Sequence, residues 1–133
     1  MQNWTMLIAR ILLGQIFLLA GINKIGAYAG TQGYMESMGV PGMLLLPVIL
    51  LEIAGGLAII AGWQTRWTSL ALAGFTVIAA LLFHNDFANQ MQTILFMKNM
   101  SITGGLLLLS VAGAGVWSLD NRSHSRRAEL AGA

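Results

Sequence analysis

Residues 43–62 read MLLLPVILLEIAGGLAIIAG, and this stretch decides the fold. It holds one charged residue, Glu52, and no run of turn-forming residues. About 20 predominantly apolar residues are what an α-helix needs to cross the hydrocarbon core of a bilayer. Pro47 falls within the first turn and a half, where the helix tolerates it. Three further stretches are similar: Thr5–Asn23, Arg66–Phe83 and Ile94–Trp117. The chain is therefore expected to be all-α, a four-helix transmembrane bundle over residues 1–121. A flexible basic tail, 122–133, is expected to follow.

Composition agrees. Of 133 residues, 56% are hydrophobic and 9% charged. Soluble domains carry about 25% charged residues, so lipid must cover part of this surface. The first span lacks a basic residue before Arg10, and three more spans follow it, so it reads as a span and not as a cleaved leader. There is no cysteine, which removes thiolate metal sites and disulfide chemistry held by this chain. Two histidines, one of them in the tail, argue against a haem with two histidine ligands from one subunit. Six of the eight methionines, Met35, Met38, Met43, Met91, Met97 and Met100, fall toward one side. Thioethers can bind copper(I), but methionine more often fills gaps, and no metal site is expected.

Four spans put both termini and the loop Trp63–Arg66 on one side. Arg10, Arg66, Arg122, Arg126 and Arg127 flank that side, against Lys24 and Lys98 opposite. The positive-inside rule makes the arginine side cytoplasmic. Trp4, Trp63, Trp67 and Trp117 also fall there, at the level where tryptophan rings favour the interface. The arginines flank a membrane; no nucleic-acid partner is expected. Lipid is the first partner, with membrane proteins or a second copy as candidates.

Lipid tails do not drive apolar helices together, so close approach at small residues must. Ala54, Ala58 and Gly62 with Gly55 and Gly56, Ser101 with Gly105, Gly113 and Gly115, and Gly14 with Gly21 are the expected seams. In the first outer loop, Thr31 is expected to cap a short helix through Met38, ended by Gly39 and Pro41.

A charge at mid-bilayer costs roughly 2.5–3.5 kcal/mol on insertion scales. Glu52 sits at mid-depth of its span, and Arg10 lies only ~7 Å away in depth at 1.5 Å per residue. The two are expected to meet, either as a static ion pair or as part of a working pocket. These are the candidate catalytic residues. Lys24, His84, Asp86 and Lys98, with Asn99, gather at the outer ends of the spans and form a candidate rim for a quinone or small substrate. The plainer reading of this rim is snorkelling lysines beside a solvated loop.

These residues also carry a resemblance. Arg10–Gly14 with Phe17, Gly21 and Lys24, then Tyr34–Met35 and Gly39–Gly42, then Leu51–Glu52 with Gly55–Gly56, and last Phe96–Asn99 with Gly104–Gly105, together resemble the DoxX family up to about Leu119. The resemblance implies a four-helix bundle in the bacterial inner membrane. It implies for some members a link to thiosulfate oxidation with quinone as acceptor, and for others a place in complexes that handle oxidative stress. Arg10, Lys24, Glu52, Lys98 and Asn99 match positions that recur in the family pattern. The expected function is a redox-associated subunit binding quinone or a small substrate between its helices, with no covalent cofactor. The alternatives are a non-catalytic scaffold docking through its glycine faces, or a small-solute permease.

Overall fold

The computed structural model describes residues 1–133, and it is helical throughout with no strand. Helix α1 is Gln2–Gly26, α2 is Tyr28–Ser37, α3 is Leu45–Ala61, α4 is Thr65–Phe83, α5 is Gln90–Ala112 and α6 is Leu119–Gly132. A single 3-10 turn, Gly42–Leu44, leads into α3. Four of these helices are long and apolar enough to cross a membrane: α1, α3 with its leading turn, α4 and α5. At 1.5 Å per residue the 25 residues of α1 reach roughly 37 Å, beyond a ~30 Å hydrocarbon core.

The buried face of α1 is Arg10, Gly14, Phe17 and Gly21, spaced alternately by four and three residues. That spacing keeps one stripe turned toward a nearly parallel or antiparallel neighbour. The neighbour is α3, along which α1 packs most closely. Two glycines set how close. A Cβ on Gly56 would lie 2.7 Å from the Leu18 nitrogen and 2.8 Å from the Gly14 carbonyl oxygen. One on Gly14 would lie 2.7 Å from the Gly56 carbonyl oxygen. The two backbones thus touch at Gly14 and Gly56. Helices α4 and α5 form a second close pair, α3 and α4 join the pairs, and α1 barely meets α5. Phe17, Ile59, Leu72, Ala73, Leu106 and Leu109 fill the core between them. A smaller cluster, Met35, Leu45 and Ile49, seats α2 against the start of α3.

Several expectations are corrected. Span four stops at Ala112, short of Trp117, because Gly113 takes φ 78° and leaves the helix. Gly113 and Gly115 both take positive φ beyond the helix, and Gly115 packs there against Met6 of α1. Its start lies earlier, at Gln90, where the Asn89 side chain accepts from the Met91 and Gln92 N–H groups. Thr31 lies inside α2 and donates to the Ala27 carbonyl instead of capping. Ala54 is exposed, so that member of the α3 seam faces outward. The tail expected to be flexible forms α6, which buries none of its residues.

Gly55 and Gly105 face inward. A Cβ on Gly55 would meet Leu72, and one on Gly105 would meet Leu13. These two glycines are thus used in packing within the chain, whereas Gly74 and Gly104 meet nothing within 4 Å.

Candidate functional site

Two polar clusters lie at opposite ends of the bundle. The first is the end away from the termini. Lys24 follows Gly21 by three residues, so both share the stripe of α1 that faces α3. Glu52 stands opposite: a Cβ on Gly21 would lie 3.2 Å from the Glu52 Cβ. The Lys24 Nζ donates to Oε1 and Oε2 of Glu52 at 2.8 Å each. Glu52 is 4% exposed. The ammonium thus makes both available bonds to a carboxylate that lipid would otherwise leave uncompensated.

This pair borders a cavity of about 350 Å³ between α1, α3, α4 and α5, roofed by α2. His84, Lys98 and Asn99 reach it as well. The rest of the wall is mainly apolar, including Phe17, Phe75, Phe83 and Ile102. Tyr34 of α2 stacks on Phe83 with ring centroids 5.6 Å apart, which holds the roof. The cavity exists because α1 and α5 separate here, whereas Leu13 and Gly105 bring them together lower down.

The donors on this wall can be counted. Lys24 has three N–H groups and uses two on Glu52. Asn99 Nδ2 has two and gives one to the Thr76 carbonyl at 3.3 Å. The His84 Nδ1 lies 2.9 Å from the Gln92 Oε1, an oxygen that only accepts, so Nδ1 is the donor in this contact. Lys98 has three and enters no ion pair. The wall is therefore rich in uncommitted donors.

Arg10 is not here. Gly14 lies against Gly56 and Ile60, so the next turn of α1 places Arg10 at the far end of α3. Its Nη1 donates to the Ile60 carbonyl at 3.2 Å, and its Nη2 donates to the Trp117 carbonyl. Eight residues, roughly 12 Å of helix axis, separate Ile60 from Glu52. The expected Arg10–Glu52 meeting is thus corrected, because Lys24 holds Glu52. Asp86 also leaves the site; its Oδ1 accepts from the Ala88 N–H at 3.3 Å in the loop before α5.

The second cluster is this Arg10 end, and it works as a clasp. Carbonyls in the last turn of a helix lack internal partners. Arg10 serves one at the end of α3, and Arg66 serves Ser110 and Val111 at the end of α5, at 3.2 and 3.0 Å. The Asp120 carboxylate accepts from the N–H groups of Gln64 and Thr65, which begin α4, at 2.7 and 2.9 Å. Its own N–H donates to the Gly62 carbonyl at 2.9 Å. Trp4 and Trp117 meet edge to face at 4.8 Å. Both spans' ends and the start of α6 are thereby tied together.

Sequence reasoning found Lys24, Glu52, His84, Lys98 and Asn99 for the cavity. It missed the Phe75 and Phe83 walls and Thr76, which resemble ordinary lipid-facing and helix residues in spacing. It missed Asp120 in the clasp, although Asp120 is the acidic residue that directly follows span four.

Relatives place the chain. Inner membrane protein YqjF of Escherichia coli (strain K12) is 55% identical over 120 residues, 90% of this chain and 92% of that protein. Inner membrane protein YphA of the same organism is 35% identical over 124 residues, 88% of this chain and 89% of that protein. CatD of Bacillus subtilis (strain 168), whose given name includes the word oxidoreductase, is 29% identical over 76 residues, 57% of this chain and 56% of that protein. No solved structure matches the chain. The DoxX family model matches residues 5–85, which hold the Lys24–Glu52 pair and the Arg10 contact to α3. With that match and the two long alignments, the chain belongs to the DoxX family.

Proposed function

We propose that this protein is a redox-associated subunit of the bacterial inner membrane that binds a quinone ring in the cavity beside Lys24 and Glu52. The observation that carries the reading is a set of uncommitted donors on an apolar, aromatic wall. Small-molecule sites span about 300–1,000 Å³, and the cavity of about 350 Å³ has room for one ring. Quinone oxygens only accept hydrogen bonds, and Lys24, Asn99 and Lys98 each retain an N–H group to donate. Phe75 and Phe83 give the ring flat partners. A quinone, when bound, supplies two-electron, two-proton redox chemistry. The chain's own part is to orient the ring and exclude water. Glu52, held by Lys24, keeps the ammonium in place. The oxidoreductase wording in the name of CatD and the inner-membrane names of YqjF and YphA agree with this reading.

The end that carries both termini faces the cytoplasm in this proposal, on the strength of Arg66, Arg122, Arg126 and Arg127. The cavity then opens toward the periplasmic half. A reporter enzyme that works only in the periplasm, fused after Ala133, is expected to be inactive; activity there would reverse the orientation.

The binding test uses the protein in lipid nanodiscs containing a native quinone. Solvent extraction should recover more quinone from loaded than from empty discs. Ala79→Trp, which places an indole in the cavity, and Lys98→Met should both lower that excess. No excess in the parent protein would refute the proposal.

A further inference from the structure

The termini end of the bundle carries a second concavity that the cavity reading does not use. It is a cleft of about 600 Å³ between α6 and the start of α4, walled by the end of α5. Arg66, His124 and Arg127 line it. Asp120 lines it too, but both its oxygens are engaged by backbone N–H groups of α4. Its charge remains, but Arg66 and Arg127 outnumber it, so the lining is net positive. Arg66 uses Nη1 on the end of α5 and leaves the other edge of its fork free. Arg127 makes no hydrogen bond or ion pair in the fold. Thr65, also on the wall and 1% exposed, keeps its hydroxyl without a partner.

Helix α6 sharpens the point. It has 14 residues, is polar overall and buries none of them. An isolated helix of this length is marginal in water. Its hydrogen-bonded tie to the bundle is at its first turn, through the carboxylate and N–H of Asp120. His124 and Arg127 follow Asp120 by four and seven residues, so one face of α6 turns to the cleft. Arg122 and Arg126 lie off that face. Trp63 and Trp67, 54% and 74% exposed, stand at the mouth. Exposed tryptophans mark the headgroup level of a bilayer.

We infer that this cleft holds the phosphate of an anionic phospholipid, clamped between Arg66 on α4 and His124 and Arg127 on α6. A guanidinium fork matches two phosphate oxygens. Basic clefts at helix ends near the membrane surface suit anionic headgroups. The lipid, and not free phosphate, is the ligand because the mouth sits at headgroup level between two tryptophans. Bound there, it fastens α6 to the bundle. This site is independent of the quinone cavity.

The test is native mass spectrometry of the full chain released from detergent with phosphatidylglycerol, with phosphatidylethanolamine as the zwitterionic control. Retained phosphatidylglycerol should exceed the control by about fivefold or more. Arg127→Gln should bring the two level; it disturbs no bond of the fold. Arg126→Gln, off the cleft face, should keep the preference. Equal losses in the two variants would reduce the effect to general surface charge and overturn the site. Displacement of the lipid by millimolar inorganic phosphate would overturn the lipid as its ligand.

Discussion

The Lys24 ammonium lies 2.8 Å from each carboxylate oxygen of Glu52, and it is Lys24, not Arg10, that compensates the charge at the middle of α3. The two arginine and lysine stations on α1 are fourteen residues apart, two heptads on one stripe. One serves the cavity and the other serves the clasp. The bundle thus separates a largely apolar chamber with a few polar groups at one end from a structural knot at the other.

Removing one partner of a buried pair leaves the other uncompensated, which typically costs 3–5 kcal/mol. Lys24 keeps 28% side-chain exposure, so solvent screening brings the cost below that range. Lys24→Met should destabilise the protein by roughly 2–3 kcal/mol, read as denaturant unfolding in detergent. Lys24→Met with Glu52→Met should recover most of the loss. A double variant as weak as the single would contradict the pairing.

Arg10→Met should act through the clasp and not through the cavity. It leaves the Ile60 and Trp117 carbonyls without their donor, a loss of about 3–6 kcal/mol at 1.5–3 kcal/mol for each charge-assisted bond. Quinone recovered per folded chain should stay at the parent level. A selective loss of quinone without a loss of stability would return Arg10 to the site.

Asp120→Ala should lower stability by about 1–2 kcal/mol, the range for a helix cap. Two N–H groups of α4 lose their acceptor, and α6 is left with only the backbone bond from residue 120 to the Gly62 carbonyl. Hydrogen exchange should quicken in α6 and in the first turn of α4 while α2 is unchanged. Unchanged exchange in α6 would show that something else holds it.

The glycines should divide sharply. Gly56→Ala sets a methyl against backbone atoms of α1 that have no flexible end to yield, an overpacking cost of about 1–3 kcal/mol. Gly104→Ala meets nothing within 4 Å and should be neutral or stabilising by up to about 1 kcal/mol. Thermal unfolding of the two in the same detergent decides it. Similar outcomes would refute the α1–α3 contact at Gly14 and Gly56.

Much of this arrangement can be read from depth alone. Counting residues along four apolar spans puts Lys24, His84, Lys98 and Asn99 at one level and the four tryptophans at the other. Depth does not say which helix faces which. Glu52 meets Lys24 because Gly21 lets α1 approach Glu52, while Gly14 and Gly56 fix the register that carries Arg10 past it. Glycine marks a possible seam but not its partner. Gly113 carries the same letter and does the opposite, ending α5 at positive φ. The Asp120 contacts span more than fifty residues of chain, and no local pattern announces them.

The most direct measurement is photolabelling of the nanodisc-embedded protein with an azido-quinone, followed by peptide mapping. The account predicts label on α4 between Phe75 and Phe83 and on α5 between Lys98 and Ile102, suppressed by excess unlabelled quinone and lost in Ala79→Trp. Label that is spread over the lipid-facing residues, or that survives excess quinone, would contradict a quinone site in the cavity.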